Sequence, residues 1–276
     1  MSLTVNTNIA SLTAQRNLVG TQKSLTTSLA RLSSGLRINS AKDDAAGLAL
    51  SDKMTGQIRG LNQAVRNAND GISMAQTAEG ALQASTNLLQ RMRELAIQSA
   101  NGTYGTSERS SLNDEFSQLQ QEISRIANKT VFNGTLVLKG SMDQTKLQVG
   151  ANAGDTITMS VGTAAMTASG LSVDAGTISI GTMSAASAAI AKISGALSQI
   201  DTFRGKLGAI QSRLDSTVSN LMNISENVSA AKSQIMDADF AAETASLTRA
   251  QILQQAGVAM LKQANSIPQA ALTLLQ

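Results

Sequence analysis

A seven-residue repeat of apolar side chains in the C-terminal third restricts this chain to long helices. The repeat runs from Ile193 to Ala259 in alternating steps of three and four residues, and Thr217 and Arg249 are its polar exceptions. No Pro interrupts it. Such a period is typical of a helix that packs in a coiled-coil seam. At about 1.5 Å per residue, the stretch predicts a helix on the order of 100 Å long.

The N-terminal half carries a weaker form of the same pattern. Apolar residues in one phase from Met54 to Ala96 predict a second long helix, which passes through Asp70-Gly71 because the phase does not shift there. The pair Asn101-Gly102 predicts its end. The segment Ser40 to Asp43 resembles a capping box that opens it.

Two shorter helices are predicted on either side of that one. The first runs from about Ile9 to Ser34 and stops at Gly35, and the other runs from about Ser107 to Lys129. The apolar stripe of the first helix consists of Leu12, Leu18, Leu25, Leu29 and Leu32.

The middle of the chain has a different pattern. Val131 to Leu136 contains Asn133-Gly134 and predicts a two-residue hairpin turn. Ile157, Met159 and Val161 alternate with polar residues, which predicts a half-buried strand. From about 162 to 186 the chain is rich in Gly, Ser, Thr and Ala, and we expect a short, variable, exposed tip.

These elements predict a mainly α fold, a long antiparallel helical coiled-coil bundle formed by the N- and C-terminal segments, with a small β-hairpin region in the middle. We expect an inner terminal coiled-coil domain from residues 1–40 plus 245–276. The second domain, 41–244, is a helical-bundle core with its β region at about 130–185. A terminal helix pair with a seam of Leu and Ala is marginal alone, so we expect other copies of the chain to bury its remaining apolar surface.

The amino-acid composition excludes the active sites of most enzyme classes. The chain has neither Cys nor His, which excludes Cys/His zinc sites, thiol nucleophiles and Ser-His-Asp triads. We therefore expect no catalytic residue, cofactor or metal; Asp43 and Asp44 are adjacent carboxylates better explained as helix capping groups. Scattered Lys and Arg with 2% aromatic residues argue against nucleic acid. No apolar run or cleavable leader pattern predicts membrane insertion.

Several segments at both ends of the chain resemble signatures of the bacterial flagellins. They are Arg31 to Gly47, Arg66 to Ile72, Gln90 to Ala100, Phe132 to Gly134, Gln148 to Asn152, Ser246 to Gly257 and Ala264 to Gln269. The resemblance covers about residues 1–160 and 190–276, so it implies a short flagellin that lacks the large outer domains.

The resemblance implies a structural subunit of the extracellular flagellar filament, secreted unfolded through the flagellar type III export system and used for swimming motility. Its implied partners are further copies of itself, the flagellar cap and hook-associated proteins, and an export chaperone. Arg91, Leu95 and Glu115 match flagellin positions that vertebrate Toll-like receptor 5 recognises; the alternative is that they contact other subunits.

Two other interpretations stay open at this point. The heptads alone also fit a plain intramolecular bundle, and the resemblance also fits a hook–filament junction protein of the same superfamily. We expect the residues of the terminal coiled-coil and polymerisation seam to be the five Leu residues of the first stripe together with Ala245, Ile252, Ala256, Ala259, Leu272 and Leu275.

Overall fold

The computed structural model describes residues 7–162 and 165–273, with the backbone alone at 141, 143 and 267–273. Its helices are α1 (Ile9–Ser34), α2 (Ala45–Ala100), α3 (Thr106–Lys129), α4 (Met183–Met236) and α5 (Phe240–Thr273). Its strands are β1 (Val131–Phe132), β2 (Thr135–Leu136), β3 (Lys146–Gln148) and β4 (Thr156–Thr158), and a 3₁₀ helix covers Ser141–Gln144. The predicted mainly α class is confirmed, since these five helices contain most of the described residues.

The long helix predicted from Ile193 to Ala259 is two helices. Helix α4 ends at Met236 and α5 begins at Phe240. Asp239 Oδ1 accepts hydrogen bonds from the backbone N–H groups of Ala241 (2.8 Å) and Ala242 (3.2 Å), which caps the first turn of α5. The apolar repeat runs through this break, which is why the repeat alone did not indicate it.

The start of α2 also differs in detail from the prediction. Asp44 Oδ1 accepts the Gly47 N–H at 2.8 Å and caps the helix. Asp43 instead accepts the N–H groups of Asn39 and Ser40 and the Ser40 hydroxyl, so it closes the preceding turn. The Ser40 hydroxyl bond, followed by the two backbone bonds, lowers the pKa of Asp43 below its ordinary value.

The chain divides into two compact units. Residues 1–56 and 227–276 form the terminal unit, and residues 57–226 form the central unit. These boundaries lie 16 and 18 residues nearer the middle of the chain than the expected 40/41 and 244/245.

The core of the central unit follows the predicted repeats. In α4 the repeat positions from Ile193 to Leu214 are all buried, and in α2 Ala68, Ala75, Leu82 and Leu89 are fully enclosed. Helix α3 adds its own apolar stripe, which includes the fully buried Phe116 and Ile123. Because a period of 3.5 residues keeps one face toward the partner helix, these helices share one continuous apolar core.

Glu79 and Thr86, two polar residues that interrupt the apolar stripe of α2, have partners in the structure. Glu79 accepts a hydrogen bond from Gln211 Nε2 at 3.2 Å and lies 3.7 Å from Arg204 Nη2, both on α4. Thr86 is buried and donates its hydroxyl to the Leu82 carbonyl at 2.9 Å. These two interruptions are therefore compatible with a continuous seam.

The predicted hairpin is present as β1 and β2. Val131 pairs with Leu136 and Phe132 with Thr135. Asn133 (φ 46°) and Gly134 (φ 81°) both have left-handed backbone conformations, which this type of turn requires. A second antiparallel pair joins β3 to β4. The predicted strand over Ile157, Met159 and Val161 is β4 only as far as Thr158, although all three apolar side chains are buried.

Residues 165–182 are anchored to the core of the central unit on one side. Six apolar side chains of this segment are buried: Met166, Ala168, Leu171, Val173, Ile178 and Ile180. Gln120 Nε2 donates to the Ile178 carbonyl at 3.2 Å, the buried Ser99 hydroxyl donates to the Ile180 carbonyl, and Asn113 accepts the Ile180 N–H. Between the apolar residues, Ser169, Ser172, Thr177 and Ser179 are exposed and Thr167 is half-buried. An entirely exposed tip, as the sequence suggested, would not bury these six side chains.

Among the described helices, none has a stretch sufficiently long and apolar to span a bilayer.

Candidate assembly surface

The two helices of the terminal unit, α1 and α5, have well-defined ends. Asn8 caps α1, since its side chain accepts the Ser11 N–H at 3.0 Å. Gly35 ends α1 in the left-handed conformation (φ 72°) and donates its N–H to the Arg31 carbonyl at 2.8 Å.

Helices α1 and α5 pack antiparallel. Near one end, Asn8 Nδ2 donates to the Ala264 carbonyl at 2.8 Å, and the Ser11 hydroxyl donates to Asn265 Oδ1 at 2.9 Å. Further along, Gln254 Nε2 donates to Gln22 Oε1 at 2.7 Å. At the other end Arg31 lies 3.6 Å from Glu243.

Backbone pairing joins the base of this helix pair. Leu36 and Asp237 form an isolated antiparallel bridge. The Arg37 N–H donates to the Met236 carbonyl at 2.6 Å, and its guanidinium donates to the Ile235 carbonyl at 2.6 Å. These bonds fix where α5 begins relative to the end of α1.

The face of α1 that contacts α5 includes part of the predicted stripe. Leu18, Leu25 and Leu32 are half-buried in the helix pair, whereas Leu12 and Leu29 are about half exposed, at 52% and 51%. The buried positions of α1 follow a three-four spacing from the buried Ser11 to Leu32.

On α5 the helix pair uses a different face from the predicted one. The most covered positions are Glu243, Leu247, Ala250, Gln254, Gly257, Leu261 and Ala264. The predicted residues Ala245, Ile252, Ala256 and Ala259 are exposed. Leu272 and Leu275 lie outside the residues whose side chains the structure describes.

The break before α5 explains this difference. Residues 237–239 are not helical, so the repeat of α4 does not continue onto the same face of α5. A Cβ on Gly257 would lie 3.2 Å from Leu18 Cδ1, so a small residue fits at that point, and Gln254 is bonded to Gln22. Sequence periodicity counts apolar residues only, and it missed both contacts.

Both terminal helices therefore expose large apolar side chains. On α1 these include Ile9 (69% exposed) and Val19 (71%), together with Leu12 and Leu29. On α5 they are Phe240, Ile252, Leu253, Val258 and Met260. We therefore take the exposed apolar side chains of this helix pair as the candidate assembly surface.

A second candidate surface surrounds Arg91 in the central unit. Arg91 Nη2 lies 2.9 Å from Glu115 Oε1 on α3, and Arg91 Nη1 lies 3.0 Å from Glu94 Oε2. The hydrogen bonds that Arg91 donates to Glu94 and, second, to Glu115 raise the pKa of Arg91. All three side chains are exposed, but Leu95 is buried in the core and is 1% exposed.

Two family models match this sequence. The model described as the bacterial flagellin N-terminal helical region matches residues 5–143, and the model described as the bacterial flagellin C-terminal helical region matches residues 190–275. The chain belongs to the bacterial flagellin family. The matched regions contain α1 to α3 and nearly all of α4 and α5.

Individual flagellins are similar over the full length of the chain. A flagellin of Halalkalibacterium halodurans is 47% identical over 272 residues, covering 99% of each chain. Flagellin A of Vibrio cholerae serotype O1 is 38% identical over 379 aligned positions, covering 100% of each chain. That alignment is longer than the 276 residues of this flagellin, which agrees with a short form.

A solved flagellin has a related structure. The crystal structure of Bacillus cereus flagellin superposes with a TM-score of 0.50 at 34% identity, covering 56% of this flagellin and 88% of that chain. Flagellins are structural proteins and not enzymes.

Proposed function

We propose that this chain is the structural subunit that polymerises into the bacterial flagellar filament and thereby serves swimming motility. The observation that carries the proposal is the exposed apolar surface on both helices of the terminal unit. Ile9 and Val19 on α1, and Ile252 and Met260 on α5, each expose more than 60% of their surface. Each of these side chains gains free energy when a neighbouring copy covers it.

Burial energetics favour assembly through these helices. Completely burying one Ile or Met side chain stabilises by about 1.5–3 kcal/mol relative to leaving it in water. Each subunit carries several such residues. The burial free energy of each new subunit contact therefore favours growth of the polymer. Contacts between different patches on successive copies do not close, so they generate an open helical filament. The exposed seam residues Leu12, Leu29, Ala245, Ile252, Ala256 and Ala259 belong to this polymerisation surface.

The alternative, a hook–filament junction protein, is the less favoured one because the matching family models and the full-length relatives are flagellins. Seeded growth separates the two functions. Purified chain added to short filament fragments should elongate them in proportion to the added protein, as electron microscopy measures. Growth that stops after a few subunits per fragment would favour the junction protein.

Export and the remaining partners follow from the family. We propose secretion of the unfolded chain by the flagellar type III system, with an export chaperone before secretion and the cap and hook-associated proteins at the filament. The test is the amount of chain in the medium of cells with and without a functional flagellar export apparatus. Equal secretion by both would contradict this route.

We also propose that Toll-like receptor 5 recognises the monomer through Arg91 and Glu115, which are exposed and held together. Because Leu95 is buried, its contribution is to support α2 beneath Arg91. Replacing Arg91 and Glu115 by Ala should lower receptor signalling at least about tenfold, since charged hydrogen-bonding groups contribute strongly to recognition.

The matched control for the receptor test is the exposed pair Arg125 and Glu122, which lie 2.6 Å apart on α3. Replacing both by Ala removes the same charges and should leave signalling within about twofold, because exposed pairs contribute little to stability. Circular dichroism confirms that both variants are folded. No signalling by folded wild-type monomer, or equal losses in both variants, would refute the proposal.

A further inference from the structure

A basic groove runs between α1 and α5 in the terminal unit. Its volume is about 980 Å³, and Arg16, Lys23 and Arg31 on α1 face Arg249 on α5 across it. Hydroxyl groups of Ser24, Thr27, Ser28 and Ser246 also line the groove. Apart from Leu253, its lining is polar or small, so this surface is distinct from the exposed apolar residues that the filament contact uses.

Positive charge in this groove is not balanced. Within α1 and α5 the cations are Arg16, Lys23, Arg31, Arg249 and Lys262, and Glu243 is the single carboxylate. Glu243 also lines the groove, but it lies 3.6 Å from Arg31, and its side chain is only 15% exposed. Among the described residues, Arg16, Lys23 and Arg249 have no carboxylate within ion-pair distance and are exposed.

A serine hydroxyl group that lines the groove makes no hydrogen bond to the described residues. Ser28 is 5% exposed and lines the groove. Its neighbours Ser24 and Thr27 donate their hydroxyls to carbonyls one helical turn earlier, at 3.2 and 3.0 Å. In the described part of the chain the Ser28 hydroxyl makes no such bond. Because the Ser28 oxygen is not among the described buried atoms that lack a partner, it is open to the groove, where its hydroxyl can donate to a bound group.

We propose that this groove binds an oxyanion of the phosphate type beside Ser28, which donates its hydroxyl, while Arg249 and Lys23 supply the charge. Guanidinium groups donate two parallel hydrogen bonds to such oxygens. A bound phosphate group neutralises part of the positive charge of this helix pair.

The phosphate group could be a free ion or a lipid headgroup, and the experiment has one arm for each. Full-length monomer at low ionic strength is titrated with inorganic pyrophosphate by calorimetry, with chloride at equal ionic strength as reference. In the second arm the monomer is sedimented with vesicles of phosphatidylglycerol and phosphatidylcholine. Because a ligand that binds the folded state stabilises it, pyrophosphate should also raise monomer helicity or its melting temperature.

Three variants assign the site. Replacing Arg249 by Gln should weaken binding about tenfold or more, because charged hydrogen bonds are the strongest contacts in the groove. Replacing Ser28 by Ala should weaken it about three- to tenfold. The control is Lys262→Gln, which removes the same charge from α5 outside the groove and should change binding less than about twofold.

The pattern across the two arms decides the proposal. A free-ion site is supported if pyrophosphate binds saturably and the Arg249 and Ser28 variants weaken that binding. A headgroup site is supported if only the vesicles bind and the same two variants weaken vesicle binding. The proposal is wrong if neither pyrophosphate nor the vesicles bind saturably. It is also wrong if Lys262→Gln weakens binding as much as Arg249→Gln does. Calorimetry and vesicle sedimentation both use the monomer. Their results therefore do not depend on whether the chain forms filaments.

Discussion

Replacing Ile252 and Met260 by Asp is expected to abolish filament formation while the monomer keeps its helical content. Both side chains are more than 60% exposed on α5, so neither supports the fold of the terminal unit. In a filament contact each would lose its burial energy of about 1.5–3 kcal/mol, and a buried unpaired carboxylate would cost several kcal/mol more. The measurement is filament yield by sedimentation and electron microscopy after seeding.

A matched variant separates lost apolar contact from damage to α5. Replacing the same two residues by Leu keeps an apolar side chain of similar volume, and filaments should form at near wild-type yield because volume-conserving substitutions are tolerated. Circular dichroism of both monomers should agree with wild type. Normal filaments from the Asp variant would show that α5 does not contribute these residues to the subunit contact.

Replacing Phe116 by Ala is expected to produce the largest loss of stability in the central unit, about 3–5 kcal/mol. Phe116 is fully buried in the core shared by α2, α3 and α4. Without the ring, the protein loses the free energy gained by transferring it from water into the core. The substitution also leaves a cavity that the surrounding helices only partly fill. Urea unfolding of the monomer, followed by far-ultraviolet circular dichroism, measures the change.

The control is Ile97, a large apolar residue on α2 that is 55% exposed. Ile97→Ala should cost less than about 1 kcal/mol, because a surface substitution leaves no cavity. If Phe116→Ala cost no more than Ile97→Ala, Phe116 would not be part of a closely packed core.

The apolar repeat predicted the central unit well because its apolar residues are large. Along α4 the repeat contains Ile193, Ile200, Phe203 and Leu207, and every one is buried as predicted. Because the large side chains lie on one face of α4, burying that face is far more favourable than burying any other. The helix at Asp70-Gly71 was predicted for the same reason.

Residues 165–182 could not be placed from sequence because polar contacts with distant residues hold them. Gln120 and Ser99 bind the carbonyls of Ile178 and Ile180 across 58 and 81 residues of sequence. The alternation of apolar residues resembles a strand, but no neighbouring strand pairs with it in the described residues. The Arg91–Glu115 pair was likewise suggested only by resemblance, since 24 residues separate its members.

The sequence by itself determined the mainly helical class, the limits of α1 and α3, the end of α2, the hairpin at Asn133-Gly134 and the family. Only the tertiary structure decided where α4 ends and which face of α5 meets α1. The reason is that α5 has Ala and scattered apolar residues on all sides, so no face gains much more than another from burial. Its orientation therefore depends on α1, through the Gln22–Gln254 bond and the contact of Leu18 with Gly257.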